Sequence, residues 1–153
     1  MRADDFIPSF HSWLKIHPEY KYEVEPDKDS PNWLFSVTNS EESFVISFQD
    51  DSIESYLFIG LAKFPSHRKG CSETDDALLS KLLRICNKIN GQYLGGKCEI
   101  NEEYGIEVLF HASIAVRLFL SLSDEEKNLY LVNAFEVIQK MIGSFKADYP
   151  DID

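Results

Sequence analysis

Residues 44–63, FVISFQDDSIESYLFIGLAK, decide the fold class because they contain two strand patterns joined by one polar turn. From Phe44 to Phe48, large apolar residues stand at every second position, which is the period of a half-buried strand. Asp50-Asp51-Ser52 is typical of a turn, and Ile53 to Lys63 continues as a longer strand. Adjacent strands with such short polar connections predict an antiparallel meander.

The residues before this stretch extend the meander and place a helix ahead of it. Tyr20 to Glu25 alternates apolar and charged side chains, and Trp33 to Val37 is a further strand pattern that ends in a polar turn. From about Ala3 to Ile16 the apolar residues recur at helical spacing. His17-Pro18 ends this helix, because the residue before a proline is disfavoured in helical geometry.

After the meander the sequence predicts a second helix and two more strands. Thr74 can cap the helix, and Asn90-Gly91 is a natural stop. The glycines between residues 91 and 96 then favour a tight turn into a strand over Lys97 to Ile100, which is followed by a strand over Ile106 to Ile114. The pattern over residues 116–122 fits a strand or a helix and leaves both open.

The last helix has the clearest local signal. Ser123 and Glu126 form a capping-box pattern, in which each side chain accepts a hydrogen bond from a free backbone amide. Apolar residues then recur at intervals of three and four as far as Phe145. The whole chain is therefore predicted to be one α+β domain, residues 1–153, with the element order α-β-β-β-β-α-β-β-α.

Composition and charge restrict the class of partner and the compartment. The net charge is −11, from 26 acidic and 15 basic residues, which disfavours binding to nucleic acid or to an anionic membrane. A basic or apolar protein partner fits better, although the charge could serve solubility alone. No secretory signal and no apolar stretch of about 20 residues is visible. Three sparse cysteines favour a cytoplasmic protein with reduced thiols.

The sequence shows no pattern that indicates a metal, a cofactor or a catalytic residue. The four histidines are scattered, and the cysteines lack Cys-x-x-Cys spacing. The one place where a cysteine lies close in sequence to a histidine is Cys71, near His67 and Arg68. The basic neighbours could lower the pKa of the Cys71 thiol. The competing interpretation is an exposed loop with an incidental cysteine.

Roughly the last hundred residues resemble the YbjN family of small bacterial proteins, which is similar in fold to type III secretion chaperones. The matching segments are Ile59 to Pro65, Cys86 to Asn90, Gly95 to Ile100 and Gly105 to Val108, followed by a final helix. The resemblance implies helices packed on a twisted antiparallel sheet, a tendency to dimerise, and no catalytic residues. Chaperones with this fold hold partner segments in extended form.

These observations predict a non-enzymatic, chaperone-like or regulatory protein that binds another protein and that forms a homodimer. An extended or unfolded segment of the partner is the candidate ligand. The candidate partner-binding residues are the large apolar ones of the first helix and the sheet: Trp13, Trp33, Phe35, Phe44 and Phe48. Two alternatives stay open, a small enzyme that uses a reactive thiol at Cys71 and an acidic immunity protein or structural subunit.

Overall fold

The fold is that of a computed structural model, which describes residues 12, 14–16, 21–26, 33–38, 42–50, 54–65, 75–103 and 105–153. For residues 22–26, 33–38 and 50 it describes the backbone alone.

The elements follow the predicted α+β order. In chain order they are β1 (Lys21–Pro26), β2 (Trp33–Thr38), β3 (Ser43–Asp50), β4 (Ser55–Lys63), α1 (Asp75–Gln92), β5 (Lys97–Asn101), β6 (Glu107–Ala115), α2 (Val116–Ser121) and α3 (Asp124–Asp148). The segment that the sequence left open is therefore the short helix α2. The predicted first helix lies largely outside the described residues, although Ser12, Leu14 and Lys15 have helical backbone and Leu14 is buried.

The six strands form one antiparallel sheet in the order β1-β2-β3-β4-β6-β5. The first four strands are neighbours in the order of the chain, so the predicted meander is confirmed. β6 then lies beside β4, with Phe58 opposite Ser113, and β5 lies at the end of the sheet, with Lys97 opposite His111. β6 therefore lies between β5 and the meander, and it pairs with β5 over only part of its length.

One face of the sheet forms the core with α1 and α3. The alternating side chains of β3 and β4 that point to this face are fully or almost fully buried. The Phe44 and Phe135 rings have centroids 4.6 Å apart, and Phe110 meets Phe145 edge-to-face at 5.6 Å. Burying such side chains contributes roughly 1.5–3 kcal/mol each, so this face provides most of the packing energy.

The helices bury the stripes that their periodicity predicts. The buried residues of α1 are Leu78, Leu82, Ile85, Cys86 and Ile89. α3 begins with the predicted capping box, because the Ser123 side chain accepts from the Glu126 amide and the Glu126 carboxylate accepts from the Ser123 amide. Among the described helices, none is long and apolar enough to cross a membrane.

The residues that follow α3 return to the end of β4. Phe64 and Asp153 exchange two backbone hydrogen bonds, of 2.6 and 2.9 Å, and Ile152 is buried in the core. The end of the described chain is thus fixed beside the strand that leads towards α1.

Candidate functional site

The five predicted partner-binding residues do not form one described surface. Phe44 and Phe48 are fully buried core residues, so a partner could reach them only if the helices separated from the sheet. For Trp33 and Phe35 the backbone lies in β2, and their side chains lie outside the described part of the chain. Trp13 also lies outside it.

The alternative thiol site also falls outside the described residues. His67, Arg68 and Cys71 belong to the undescribed segment between β4 and α1. Within the described part of the chain, no group of three or more histidine, cysteine, aspartate or glutamate side chains could hold a metal ion. The enzyme hypothesis at Cys71 and the immunity or structural hypothesis therefore remain predictions.

The structure reveals a groove that the sequence did not predict. It has a volume of about 420 Å³ and lies between α3, the end of β6 and the loop before β5. Its lining combines apolar side chains with a polar rim: Leu94, Gly95, Ala112, Tyr130, Asn133, Ala134, Glu136, Val137 and Lys140. The groove opens to solvent on the helix-bearing side of the sheet.

The loop that lines the groove is fixed closely against α3. Gly95 has a φ of 85°, which favours glycine, and confirms the tight turn predicted here. A Cβ on Gly96 would lie 2.5 Å from the Met141 sulfur and 2.8 Å from a Val137 methyl carbon, so a side chain here would force both residues of α3 to shift. Tyr93 and Ser144 hydroxyls are 2.6 Å apart. Leu94, at 95% exposure, lies at the edge of the groove.

The end of β6 next to this groove has an open backbone edge. β5 pairs with β6 only from Glu107 to His111. The Cys98 amide and carbonyl form hydrogen bonds with the Asn90 side chain outside the sheet, so they point away from β6. Because backbone groups alternate in direction along a strand, the residues before and after Cys98 are the ones that bond to β6. Continuing this alternation, the amide and carbonyl of Ser113 point to the β5 side, where no described strand pairs with them.

The outer edge of β5, in contrast, is closed by Asn90. Its side-chain amide nitrogen donates to the Cys98 carbonyl at 2.8 Å, and its side-chain oxygen accepts from the Cys98 amide at 2.7 Å. One side chain of α1 thus occupies the backbone groups that another strand would use. Native proteins protect edge strands in this way against unwanted pairing.

The other face of the sheet carries a charged cluster centred on Glu99. Its carboxylate lies 2.9 Å from Lys97 Nζ and 3.0 Å from His111 Nε2. The His111 ring also stacks on Phe58, with the centroids 4.6 Å apart. The hydrogen bond from Lys97 lowers the pKa of Glu99, so this carboxylate is ionised near neutral pH.

Two further groups have pKa values displaced by burial. Burial lowers the pKa of His111, and this effect outweighs the opposite effect of Glu99, so the imidazole is neutral near pH 7. Burial raises the pKa of Tyr130 to about 12, so its hydroxyl is neutral where it lines the groove. The groove therefore offers a hydroxyl and not a phenolate to a ligand.

Comparison with known proteins shows a shared fold. No protein-family model matches the chain, and no curated protein matches it. A solved structure of an uncharacterized protein from Methanothermobacter thermautotrophicus is similar, with a TM-score of 0.54 and 16% sequence identity. The alignment covers 93% of this chain and 97% of that chain. A similarity at this level of identity concerns the fold and assigns no function.

Proposed function

We propose that the chain is a non-enzymatic protein-binding module, which takes up a short extended segment of a partner protein along the open end of β6. The observation that carries this proposal is that the pairing of β5 with β6 ends at His111, so the amide and carbonyl of Ser113 face a side without a described strand, next to the groove. An extended peptide binds an open sheet edge through its backbone and gains specificity from pockets for alternate side chains.

The geometry of a strand determines which partner residue enters the groove. Residues directly opposite each other in neighbouring strands point to the same face of the sheet. Beyond the loop that leads into β5, a partner residue opposite Ile114 would therefore point to the helix-bearing face, on which Tyr130 and Ala134 line the groove with Ala112. A volume of about 420 Å³ accommodates a large apolar side chain.

The rim of the groove and the charge of the chain indicate the chemistry of the segment. Leu94 at the edge favours a second apolar contact, and Glu136 and Lys140 can pair with polar groups at the ends of the segment. Because the chain carries a net charge of −11, a neutral or basic segment would associate faster than an acidic one. The proposed ligand is thus a short, neutral or basic segment with alternating apolar residues.

The compartment and the oligomeric state predicted from the sequence extend this proposal. We propose that the protein acts in the cytoplasm as a homodimer, in the manner of the chaperone-like proteins that the YbjN resemblance suggests. Binding of an extended segment is the activity that such chaperones share, and the groove beside the open end of β6 supports the proposal that this chain does the same.

The proposal is tested by selecting binders from a random peptide library and measuring their affinity. Peptides of about eight residues, the length of one strand, are displayed and selected on the purified protein. Ser113→Pro removes the amide of the open edge, and a proline is tolerated where its nitrogen faces away from the ladder. Ser113→Ala is the matched control, because it keeps the amide.

We expect selected peptides to alternate apolar residues and to bind the Ser113→Ala variant as they bind the wild type. The Ser113→Pro variant should lose about tenfold in affinity, the equivalent of one backbone hydrogen bond. Leu94→Glu should weaken binding, whereas Leu83→Glu, on the exposed side of α1, should not. Selection of no common pattern, or equal binding to the folded Ser113→Pro variant, would contradict the proposal.

A further inference from the structure

Two cysteines from different elements lie in contact inside the core. Cys86 is on the buried face of α1 and Cys98 is on β5, and their sulfur atoms are 2.9 Å apart. Both side chains are almost completely buried, at 2% and 1% exposure, and both are free thiols. A sulfur–sulfur distance this short leaves no room for another atom between the two side chains.

The surroundings hold both residues in this position. Asn90, one turn after Cys86, binds the amide and the carbonyl of Cys98 and so fixes β5 against α1. The next apolar position of the helix, Ile89, is fully buried. The contact between the two thiols therefore follows from the way α1 packs on the edge strand.

We propose that Cys86 and Cys98 form a redox-active pair that closes to a reversible disulfide when the protein meets a small peroxide. The two sulfurs need to approach by only about 0.9 Å to reach bonding distance, since a disulfide bond measures about 2.05 Å. A small, uncharged oxidant such as hydrogen peroxide suits a pair this deeply buried, because a bulky disulfide reagent could not reach it. Disulfides of cytoplasmic proteins are typically transient and redox-sensing.

The direction of the chemistry follows from the hydrogen bond between the two thiols. The hydrogen bond between the two sulfurs lowers the pKa of Cys86, whereas the same bond and burial raise the pKa of Cys98. The Cys86 thiolate attacks one peroxide oxygen, the O–O bond breaks, and the sulfenic acid forms with release of hydroxide. The Cys98 sulfur then attacks the Cys86 sulfur and hydroxide leaves. With protons included, two thiols and one hydrogen peroxide give one disulfide and two water molecules.

The bond would close a ring that includes the loop before β5. The two cysteines are 12 positions apart, and the loop with Leu94 and Gly95 lies between them. Oxidation would thus tie α1 to β5 and hold the loop that lines the groove. The inference rests on the thiol contact and is independent of the proposed peptide binding.

The test treats the folded protein with hydrogen peroxide, blocks the remaining thiols with N-ethylmaleimide under denaturing conditions and maps the peptides by mass spectrometry. Wild type and Cys71→Ser are compared, because the third cysteine could form other products. Before blocking, we expect the mass to fall by about 2 Da, the loss of two hydrogen atoms; after blocking, Cys86 and Cys98 should carry no N-ethylmaleimide and should lie in one cross-linked peptide. Dithiothreitol should reverse both changes.

A thermal melt adds a second measurement on the same samples. Closing this ring should raise Tm by about 5 °C, and reduction should restore the original value. Cys98→Ala should not show the mass loss under the same treatment and should instead accumulate oxidised Cys86. Two thiols that remain fully open to N-ethylmaleimide, or a gain of oxygen on the wild-type cysteines without a cross-link, would overturn the inference.

Discussion

Two opposing effects act on the pKa of His111. Burial lowers this pKa because the charged imidazolium loses its hydration, and the Glu99 carboxylate 3.0 Å away raises it. Burial is the larger effect, so the folded protein holds His111 neutral over a pH range in which the unfolded chain already binds a proton. The side chain therefore links folding stability to pH.

We expect the free energy of unfolding to fall as the pH drops below about 6.5, the pKa of histidine in an unfolded chain. Between that value and the lower folded pKa the unfolded state binds more protons, so acid favours unfolding. Because the folded pKa of Glu99 is also lowered, it adds a further loss of stability below about pH 4.5. Urea denaturation from about pH 7.5 to about pH 3 measures both effects.

The matched variants for this prediction are His111→Gln and Glu99→Gln. The first should flatten the pH dependence near pH 6 relative to the wild type, which also separates His111 from the other three histidines. The second removes the charge that raises the pKa of His111, so the loss of stability near pH 6 should grow. A stability that increases on acidification through about pH 6.5 in the wild type but not in His111→Gln would show that the ion pair outweighs burial.

At the scale of elements, Asn90 connects α1 to the edge of the sheet. Its side-chain amide satisfies the Cys98 amide and carbonyl, which are the outward-facing groups of a five-residue strand. Without this side chain both groups would be partly buried and unpaired. Removing one partner of such a bond costs more than the bond contributes, because the remaining group loses its hydration.

We predict that Asn90→Ala lowers the free energy of unfolding by about 2 kcal/mol, through the two unpaired backbone groups. The control is Asn87→Ala, which makes the same change at an exposed position of α1 and should be neutral or slightly stabilising, since alanine is the better helix former. Chemical denaturation with an unchanged m value measures both variants. Equal stabilities of the two variants would mean that water replaces the Asn90 amide without loss.

The elements could be predicted from sequence to the extent that their signals are local. The alternation in β3 and β4 and the capping box at Ser123 depend on neighbouring residues, and the structure confirms them. The sequence pattern that begins at Val116 does not distinguish a helix from a strand. α2 has only six residues and follows β6 directly, and six residues are too few to establish a period. The role of Asn90 requires the position of β5, which no local pattern provides.

At the scale of the whole molecule, the groove could not be predicted because it depends on where β5 begins relative to β6. The five-residue strand β5 does not extend to Ser113, so that residue has no described strand on its β5 side. The close approach of Gly96 to Met141 holds the preceding loop, which lines the groove, against α3. The aromatic residues chosen from the sequence were selected for size and apolarity. The same properties favour burial in the core, and this is where Phe44 and Phe48 lie.

The charge of the chain acts on the molecule as a whole. A net charge of −11 on 153 residues creates mutual repulsion, which is strongest in the compact folded state. Salt also weakens the attractive exposed pairs, such as Lys88 with Asp148 at 2.9 Å and Arg117 with Glu54 at 3.1 Å. Exposed pairs of this kind are worth at most about 1 kcal/mol each, and often nothing measurable. Repulsion between the excess acidic residues is therefore the larger effect.

We predict that Tm rises by about 3 °C, equivalent to about 1 kcal/mol, between roughly 10 mM and 200 mM sodium chloride at pH 7.5. Over this range the screening length falls from about 30 Å to less than 10 Å, so repulsion across the molecule is largely removed. Choline chloride at the same ionic strength should give the same rise, because screening does not depend on the identity of the cation. A rise with sodium alone would indicate specific cation binding, and a fall in both salts would mean that the exposed ion pairs contribute more to stability than the net charge removes.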